Sequence, residues 1–313
     1  MNNIPPVLLL IFNRPDLTAQ VMDRIRQAEP PKLFVGADGP RTGHPEDADR
    51  CEQARQVATQ VNWDCEVHTL FRDENLGTKK AISSAITWFF RHVEAGIILE
   101  DDCVPANSFF QFCGSLLDTY RHDDRIVMIS GYNPIDPWRY KEQTYHFSNY
   151  GGIWGWATWG EQWEAYHDVE QVDDPDLIER VLQNVLVEPV QVRQRKQAIE
   201  DALEGDIDSW DYQWFWARVL QSKLSIVPAR NLVSNIGFGG GATRTSNPDD
   251  PRANLDVQEM SFPLAGPDGV YPDREYDNKW FEMTHGWGKA SLRERLLDVL
   301  RRQKQRIEKT LEA

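Results

Sequence analysis

The sequence predicts an α/β protein built on a mostly parallel, twisted sheet flanked by helices. Three observations carry that class. Over the first 131 residues, uninterrupted apolar runs of strand length alternate with segments of helical periodicity, the pattern of parallel strands buried on both faces. Turn-forming or acidic residues end each run, as the loops that follow parallel strands require. The chain of 313 residues is 41% hydrophobic with 12 Trp, 13 Phe and 9 Tyr, ample for a core covered on two sides.

The elements follow in order. Val7 to Phe12 is a continuous apolar strand, closed by Asn13-Arg-Pro-Asp16, a turn with a proline near a helix start. Leu17, Val21 and Ile25 give the next segment, to Ala28, one helical face. Lys32 to Ala37 is a second strand, ended by Asp38-Gly-Pro40. A polar helix runs near Asp47 to Gln60, then a strand from Glu66 to Phe71 and a turn at Asn75-Leu-Gly77. Thr78 to Val93 repeats apolar residues at Ile82, Ala85, Ile86 and Phe89. Gly96 to Leu99 is a fourth strand, Phe109 to Tyr120 a helix and Ile126 to Ile129 a fifth strand. From Tyr132 the regular alternation stops, and ten of the twelve Trp lie between Trp138 and Trp287. Residues 168–208 form an acidic, helix-prone insertion. Trp210 to Lys223 is expected as a helix and Ser225 to Pro228 as a short strand, with a glycine-rich loop after it. Residues 289–313 place Leu292, Leu296, Val299, Leu300, Ile307 and Leu311 on one face of a closing amphipathic helix.

Charge removes a class of function. With 34 Lys and Arg against 49 Asp and Glu, the net charge is −15, so no basic face is available to displace counterions from nucleic acid. The charge is uneven, however: residues 289–313 hold eight basic and four acidic side chains, a local +4. Such a helix suits an anionic membrane surface as well as packing on the body or in a dimer. No apolar run reaches the ~18 residues of a membrane span, and the start MNNIPP lacks the basic and apolar regions of a signal peptide. Cys51, Cys65, Cys103 and Cys113 are irregularly spaced, as expected of reduced thiols. A cytoplasmic protein, peripheral at most to the inner membrane face, is the expectation.

Ile97-Ile-Leu-Glu-Asp-Asp-Cys103 fuses three acids to the carboxyl end of a buried strand, where open α/β sheets bind ligands. Strand alternation puts Glu100 and Asp102 on one side and Asp101 on the other. Two carboxylates about 6 Å apart repel by roughly 3 kcal/mol at an effective dielectric of about 20, which a divalent cation relieves. Oxygen ligands with room for phosphates suit Mg or Mn better than zinc. The other explanation is a solvated turn or helix cap before Asn107. Three further strand or helix ends meet the same edge. Phe12-Asn-Arg14 brings a cation to a phosphate position, Asp38 ends the adjacent strand within reach of a base or ribose, and Asn75-Leu-Gly-Thr-Lys-Lys80 precedes a helix whose free N–H groups and lysines suit phosphates. Each taken singly also fits a cap or turn.

These motifs, with Val127-Met-Ile-Ser-Gly131, resemble a nucleotide-sugar glycosyltransferase of the GT-A fold. The Glu-Asp-Asp form is similar to that of inverting N-acetylglucosaminyltransferases that act on N-glycans and of their bacterial relatives. The match runs in order from residue 6 to about 240. The resemblance implies a nucleotide-sugar donor, UDP-sugar favoured, with Asp102 as the metal ligand and Glu100 and Asp101 as donor contacts. Arg14 would touch the diphosphate and Asp38 the base, with Phe12, Asn75, Gly77 and Lys79 around them. It also implies residues 1–131 as the donor-binding half, 132–288 as an acceptor-binding and catalytic half continuous with it, and a glycan or lipid-linked acceptor.

Glycosyl transfer needs a neutralised leaving diphosphate and a base for the acceptor hydroxyl. Asp208-Ser-Trp-Asp-Tyr-Gln-Trp-Phe-Trp216 holds the candidates. Asp211 stands in the first turn of an aromatic helix, where the resemblance places an acid followed by an aromatic. The relatives pair two acids there, whereas Tyr212 is the neighbour here, so Asp208 stays an alternative. Both also fit capping and dipole roles. Tyr150-Gly-Gly-Ile-Trp-Gly-Trp-Ala-Thr-Trp159 joins rings to glycines, as a sugar-binding loop would, with Trp154 and Trp156 as contacts and core packing as the other reading.

Gly237-Phe-Gly-Gly-Gly-Ala-Thr-Arg244 is no dinucleotide fingerprint, because Asn247-Pro-Asp-Asp-Pro251 forbids the helix that motif needs. It reads instead as a loop over the donor, with Asn235 and Arg244 as contacts. His285 is a surface or capping residue before it is a metal ligand. A sugar-phosphate nucleotidyltransferase would need a glycine-rich Arg/Lys signature after the first strand, which Asn13-Arg-Pro-Asp16 lacks. A glycoside hydrolase would use two acids without metal or nucleotide, and a non-catalytic carbohydrate-binding protein would hold structural calcium in the triplet.

Overall fold

The computed structural model describes residues 4–169, 172–186, 188–239, 247 and 249–285. The strands, in chain order, are β1 (Val7–Ile11), β2 (Lys32–Ala37), β3 (Glu66–Phe71), β4 (Ala95–Glu100), β5 (Cys103–Pro105), β6 (Ile126–Ser130), β7 (Tyr145–Ser148), β8 (Trp156–Trp159), β9 (Leu224–Pro228) and β10 (Val233–Asn235). The helices are α1 (Pro15–Ala28), α2 (Pro45–Ala58), α3 (Thr78–Phe90), α4 (Asn107–Thr119), α5 (Gly160–Asp168), α6 (Pro175–Val185), α7 (Pro189–Glu204), α8 (Asp211–Leu220) and α9 (Arg274–His285).

Eight strands form one sheet in the order β3-β2-β1-β4-β8-β6-β9-β7. β1 lies at its heart, parallel to β2 through Val7↔Leu33 to Ile11↔Ala37 and to β4 through Val7↔Ile97 to Leu10↔Glu100. A strand with a layer on each side must be apolar on both faces, and the five residues VLLLI are all buried. Val7, Leu9 and Ile11 join a core with α1, α2 and α4, while Leu8 and Leu10 join another with α3 and the helices α5 to α8. β3 at the edge is exposed along much of its length, and the Arg55 guanidinium covers its Phe71 ring at 5.0 Å.

Two features differ from expectation. The aromatic stretch ending at Trp159 is not wholly a loop: its last four residues are β8, inserted antiparallel between β4 and β6. Trp156 and Trp159 fall on opposite faces of that strand and enter different cores. Second, β5 and β10 make a small antiparallel ladder pairing Asn235 with Cys103, which carries residues 235–237 up to the acid triplet. The acidic insertion folds as the pair α6 and α7, which packs against α8. α6 is capped by Asp174 onto the N–H groups of Asp176 and Leu177, and Lys196 bridges to Glu179 at 2.7 Å. The sheet therefore draws strands from both sides of residue 131. All four cysteines are unbonded. Among the described residues no helix is long and apolar enough to cross a membrane. The expected closing helix over 289–313 lies outside the described residues.

Candidate active site

β1, β2 and β4 run parallel and end together, so Phe12, Asp38 and Glu100 meet along one edge of the sheet. There they line a cavity of about 280 Å³ with Arg14, Asn75, Gly77, Asp101 and Asp208. Arg41 and Arg72 line it as well. Sequence reasoning did not single out these two arginines, although Arg72 directly follows the end of β3 and Arg41 follows the end of β2 by four residues.

The acid triplet is held by a cation from within the chain. Arg14 grips Asp101 through Nη2 and, at 3.3 Å, through Nε, and its Nη1 lies 2.9 Å from Asp102 Oδ2. The Phe12 N–H also donates to Asp101 Oδ2 at 3.4 Å. Burial works against a charged guanidinium, but the adjoining carboxylates outweigh it and hold Arg14 well above its ordinary pKa. Burial pushes Asp101 up to about 6 against the pull of Arg14. Glu100 is pushed up to about 8, by burial and then by the charges of Asp102 and Asp101. Asp102 is 7% exposed; its Oδ1 faces the Cys103 thiol at 3.4 Å and its backbone carbonyl accepts from Ile236 N–H at 2.9 Å. A β-carbon on Gly237 would come 2.0 Å from Asp102 Oδ2, so only glycine fits there.

Among the described residues no three His, Cys, Asp or Glu side chains come together as cation ligands. Asp101 and Asp102 both pair with Arg14, which supplies counter-charge that the sequence reading assigned to Mn or Mg, and this arrangement does not show a divalent metal at Asp102.

The loops around the cavity tie themselves together. Asp38 is nearly buried, and its carboxylate accepts from the N–H groups of Gly39 at 2.9 Å and Leu76 at 3.0 Å, while Asn75 Nδ2 donates to the Gly39 carbonyl. The expected phosphate position at the start of α3 is taken from inside the molecule. Asp208 accepts from Thr78 N–H and Lys79 N–H, both at 3.1 Å. Its Oδ2 would lie 3.2 Å from a β-carbon on Gly77, whose φ of +80° favours glycine in any case. Lys79 thus contributes its backbone, and its side chain is not part of the cavity wall.

Asp211 faces a different space, a second cavity of about 160 Å³ that it lines with Tyr132, Tyr150, Trp154, Phe215 and Trp280. Ser209 Oγ donates to Asp211 Oδ1. Only Ser209 and Trp210 therefore separate an acid on the first cavity from one on the second. Trp154 stands at the wall, in edge contact with Tyr132 at 4.7 Å and Phe238 at 5.5 Å. Trp156 is only 1% exposed and packs among Trp210, Trp163 and Trp214, which places it in the core and not in either cavity. Asn235 is buried and accepts from the Gly237 N–H at 2.9 Å. Residues 240–244 of the expected loop over the donor, Arg244 among them, lie outside the described residues, as does the side chain of His285. Arg195, Arg218 and Arg252 also line the second cavity without having been foreseen. Arg195 sits in the insertion, where the sequence offers no motif.

No family model and no curated protein matches this sequence. Solved structures do. HddC from Yersinia pseudotuberculosis complexed with GMP-PN is 9% identical at a TM-score of 0.31, over 50% of this chain and 77% of that one. A UDP-glucose pyrophosphorylase complexed with UDP-glucose is 8% identical at 0.36, over 72% and 90%. The inositol-1-phosphate CTP transferase from T. maritima is 9% identical at 0.32, over 55% and 76%. None of these three is described as a glycosyltransferase. Likeness of this degree carries no argument about activity, which has to come from the site itself.

Proposed function

We propose that this protein is an inverting glycosyltransferase that takes a sugar from a nucleotide-diphosphate donor in the first cavity and passes it to an acceptor hydroxyl in the second. The observation that carries the reading is the segment Asp208 to Asp211, which spans the two cavities with one acid on each. A transferase needs two adjoining subsites and a base on the acceptor side, and a single-ligand binding module needs neither.

The donor cavity offers three arginines to a diphosphate. Arg14 is already engaged with acids and Arg41 is paired with Asp47 at 2.6 Å, whereas Arg72 makes no ion pair among the described residues and donates to Ser84 Oγ at 2.7 Å. Guanidinium groups matched to phosphate oxygens stabilise the charge that grows on the departing diphosphate. Asp211 is the base that takes the proton from the acceptor hydroxyl, while the ring of Trp154 supplies a face for a sugar. Asp208 is assigned to capping α3. The Mn requirement that the resemblance implies for Asp102 forms no part of this chemistry.

Thermal shift with UDP, GDP, CDP and ADP, each with EDTA or with Mn, tests the reading. A nucleoside diphosphate at 100 times its Kd is expected to stabilise the fold by about 2.7 kcal/mol. If none shifts the midpoint under either condition, the donor assignment falls. Stabilisation that depends strictly on Mn would return Asp102 to a metal.

A further inference from the structure

The second cavity has an electrostatic character that a neutral sugar does not require. Arg218 is 4% exposed and Arg195 8%, and among the described residues neither forms an ion pair. Arg218 uses Nη1 on Ser225 Oγ at 2.6 Å and against Met128 Sδ at 2.7 Å, and its Nε has no partner. Arg195 lies over the rings of Phe215 at 4.8 Å, Tyr150 at 5.2 Å and Trp280 at 5.8 Å, and its Nε is likewise unpartnered. The third arginine, Arg252, is neutralised by Asp250 at 2.7 Å. Buried cations are ordinarily matched by carboxylates, so two on a cavity whose described lining holds Asp211 as its one carboxylate leave positive charge unanswered.

We propose that this cavity selects an anionic sugar, one bearing a phosphate or a carboxylate, with the oxyanion on Arg195 and Arg218 and the ring against the aromatic wall. The proposal rests on the cavity's being the acceptor subsite. Guanidinium forks match both oxyanions bidentately. Burial, and then the neighbouring Arg195, push Arg218 down to about 9, and the charge of Asp211 only partly opposes them.

Titration of the full chain, followed by tryptophan fluorescence and calorimetry with nucleotide absent, decides the matter. The probes are glucose 1-phosphate, glucuronate, inorganic phosphate and glucose. Glucose 1-phosphate or glucuronate is expected to bind saturably and at least tenfold more tightly than glucose, and which of the two leads identifies the oxyanion. Arg195→Gln and Arg218→Gln should each weaken that binding tenfold or more, with far-UV circular dichroism unchanged. Should Arg218→Gln fail to fold, Arg195→Gln and the preference of the unaltered protein still give the answer. Equal binding of glucose, no binding of either charged sugar, or full affinity in a folded Arg195→Gln variant overturns the proposal. Because no nucleotide is present, failure here leaves the donor reading standing, and failure of the nucleotide screen leaves this result intact.

Discussion

Asp211 meets the second cavity at the first turn of α8, and Ser209 Oγ holds one of its oxygens. Replacing it with Asn keeps the shape and removes the basic oxygen. In the Asp211→Asn variant, turnover with the donor found by the nucleotide screen is expected to fall about 10²–10⁴-fold, the usual worth of a positioned base. Binding of the nucleoside diphosphate should stay within about twofold. Undiminished turnover would move the base elsewhere. At this scale the sequence was partly legible. The acids Glu100, Asp101 and Asp102 are visible as a run, because adjacency and strand alternation are local properties. Their commitment to Arg14 is not, since the partners stand 87 residues apart and meet only once β1 and β4 pair.

The helix α3 shows what an element gains from a distant residue. Its N-cap, Gly77, has no side chain to offer, so the first-turn N–H groups depend on Asp208, 130 residues away from Thr78. Asp208→Ala is expected to lower unfolding free energy by about 0.5–2 kcal/mol, read from a urea midpoint at unchanged slope, with Asp208→Asn retaining part of the cap. Lost turnover without lost stability would instead make Asp208 a participant in the chemistry. The strands β2 and β3 have the bounds that apolar length and turn residues predict. β8 escaped the same reasoning because Gly151, Gly152 and Gly155 flank it and tryptophans fill it, a texture that reads as loop until β4 and β6 offer edges on both sides.

For the whole molecule, two groups buried around β7 and α9 make opposed contributions to the pH dependence of stability. Asp277 accepts hydrogen bonds from Ser148 and Asn149, yet burial pushes it up to about 6. His146 is 1% exposed with neither ring nitrogen partnered, and burial pushes it down to about 3. Their signs are opposite. A carboxyl with a raised folded pKa contributes stability below its unfolded value near 3.8 and loses it as pH rises through 6. A histidine with a depressed folded pKa contributes above 6.5 and loses stability as pH falls towards 3. In the unaltered protein the two slopes oppose each other across this window. Asp277→Asn is expected to steepen the loss of stability on acidification below pH 6.5, and His146→Phe to flatten or reverse it, by up to a few kcal/mol at the acid end. Urea midpoints at half-unit pH steps would show it, and parallel curves for all three proteins would contradict it.

What the sequence by itself determined is the α/β class, the order of elements through β4, and the acid triplet on the end of a buried strand, because apolar period, turn chemistry and adjacency are written within a few residues of one another. Only the tertiary structure decided which charges answer which. It gave Asp101 and Asp102 to Arg14, gave the start of α3 to Asp208, and left Arg195 and Arg218 on a cavity with no ion pair among the described residues. Those outcomes depend on contacts between segments that share no local pattern. Burial then sets the cost of every unmatched charge.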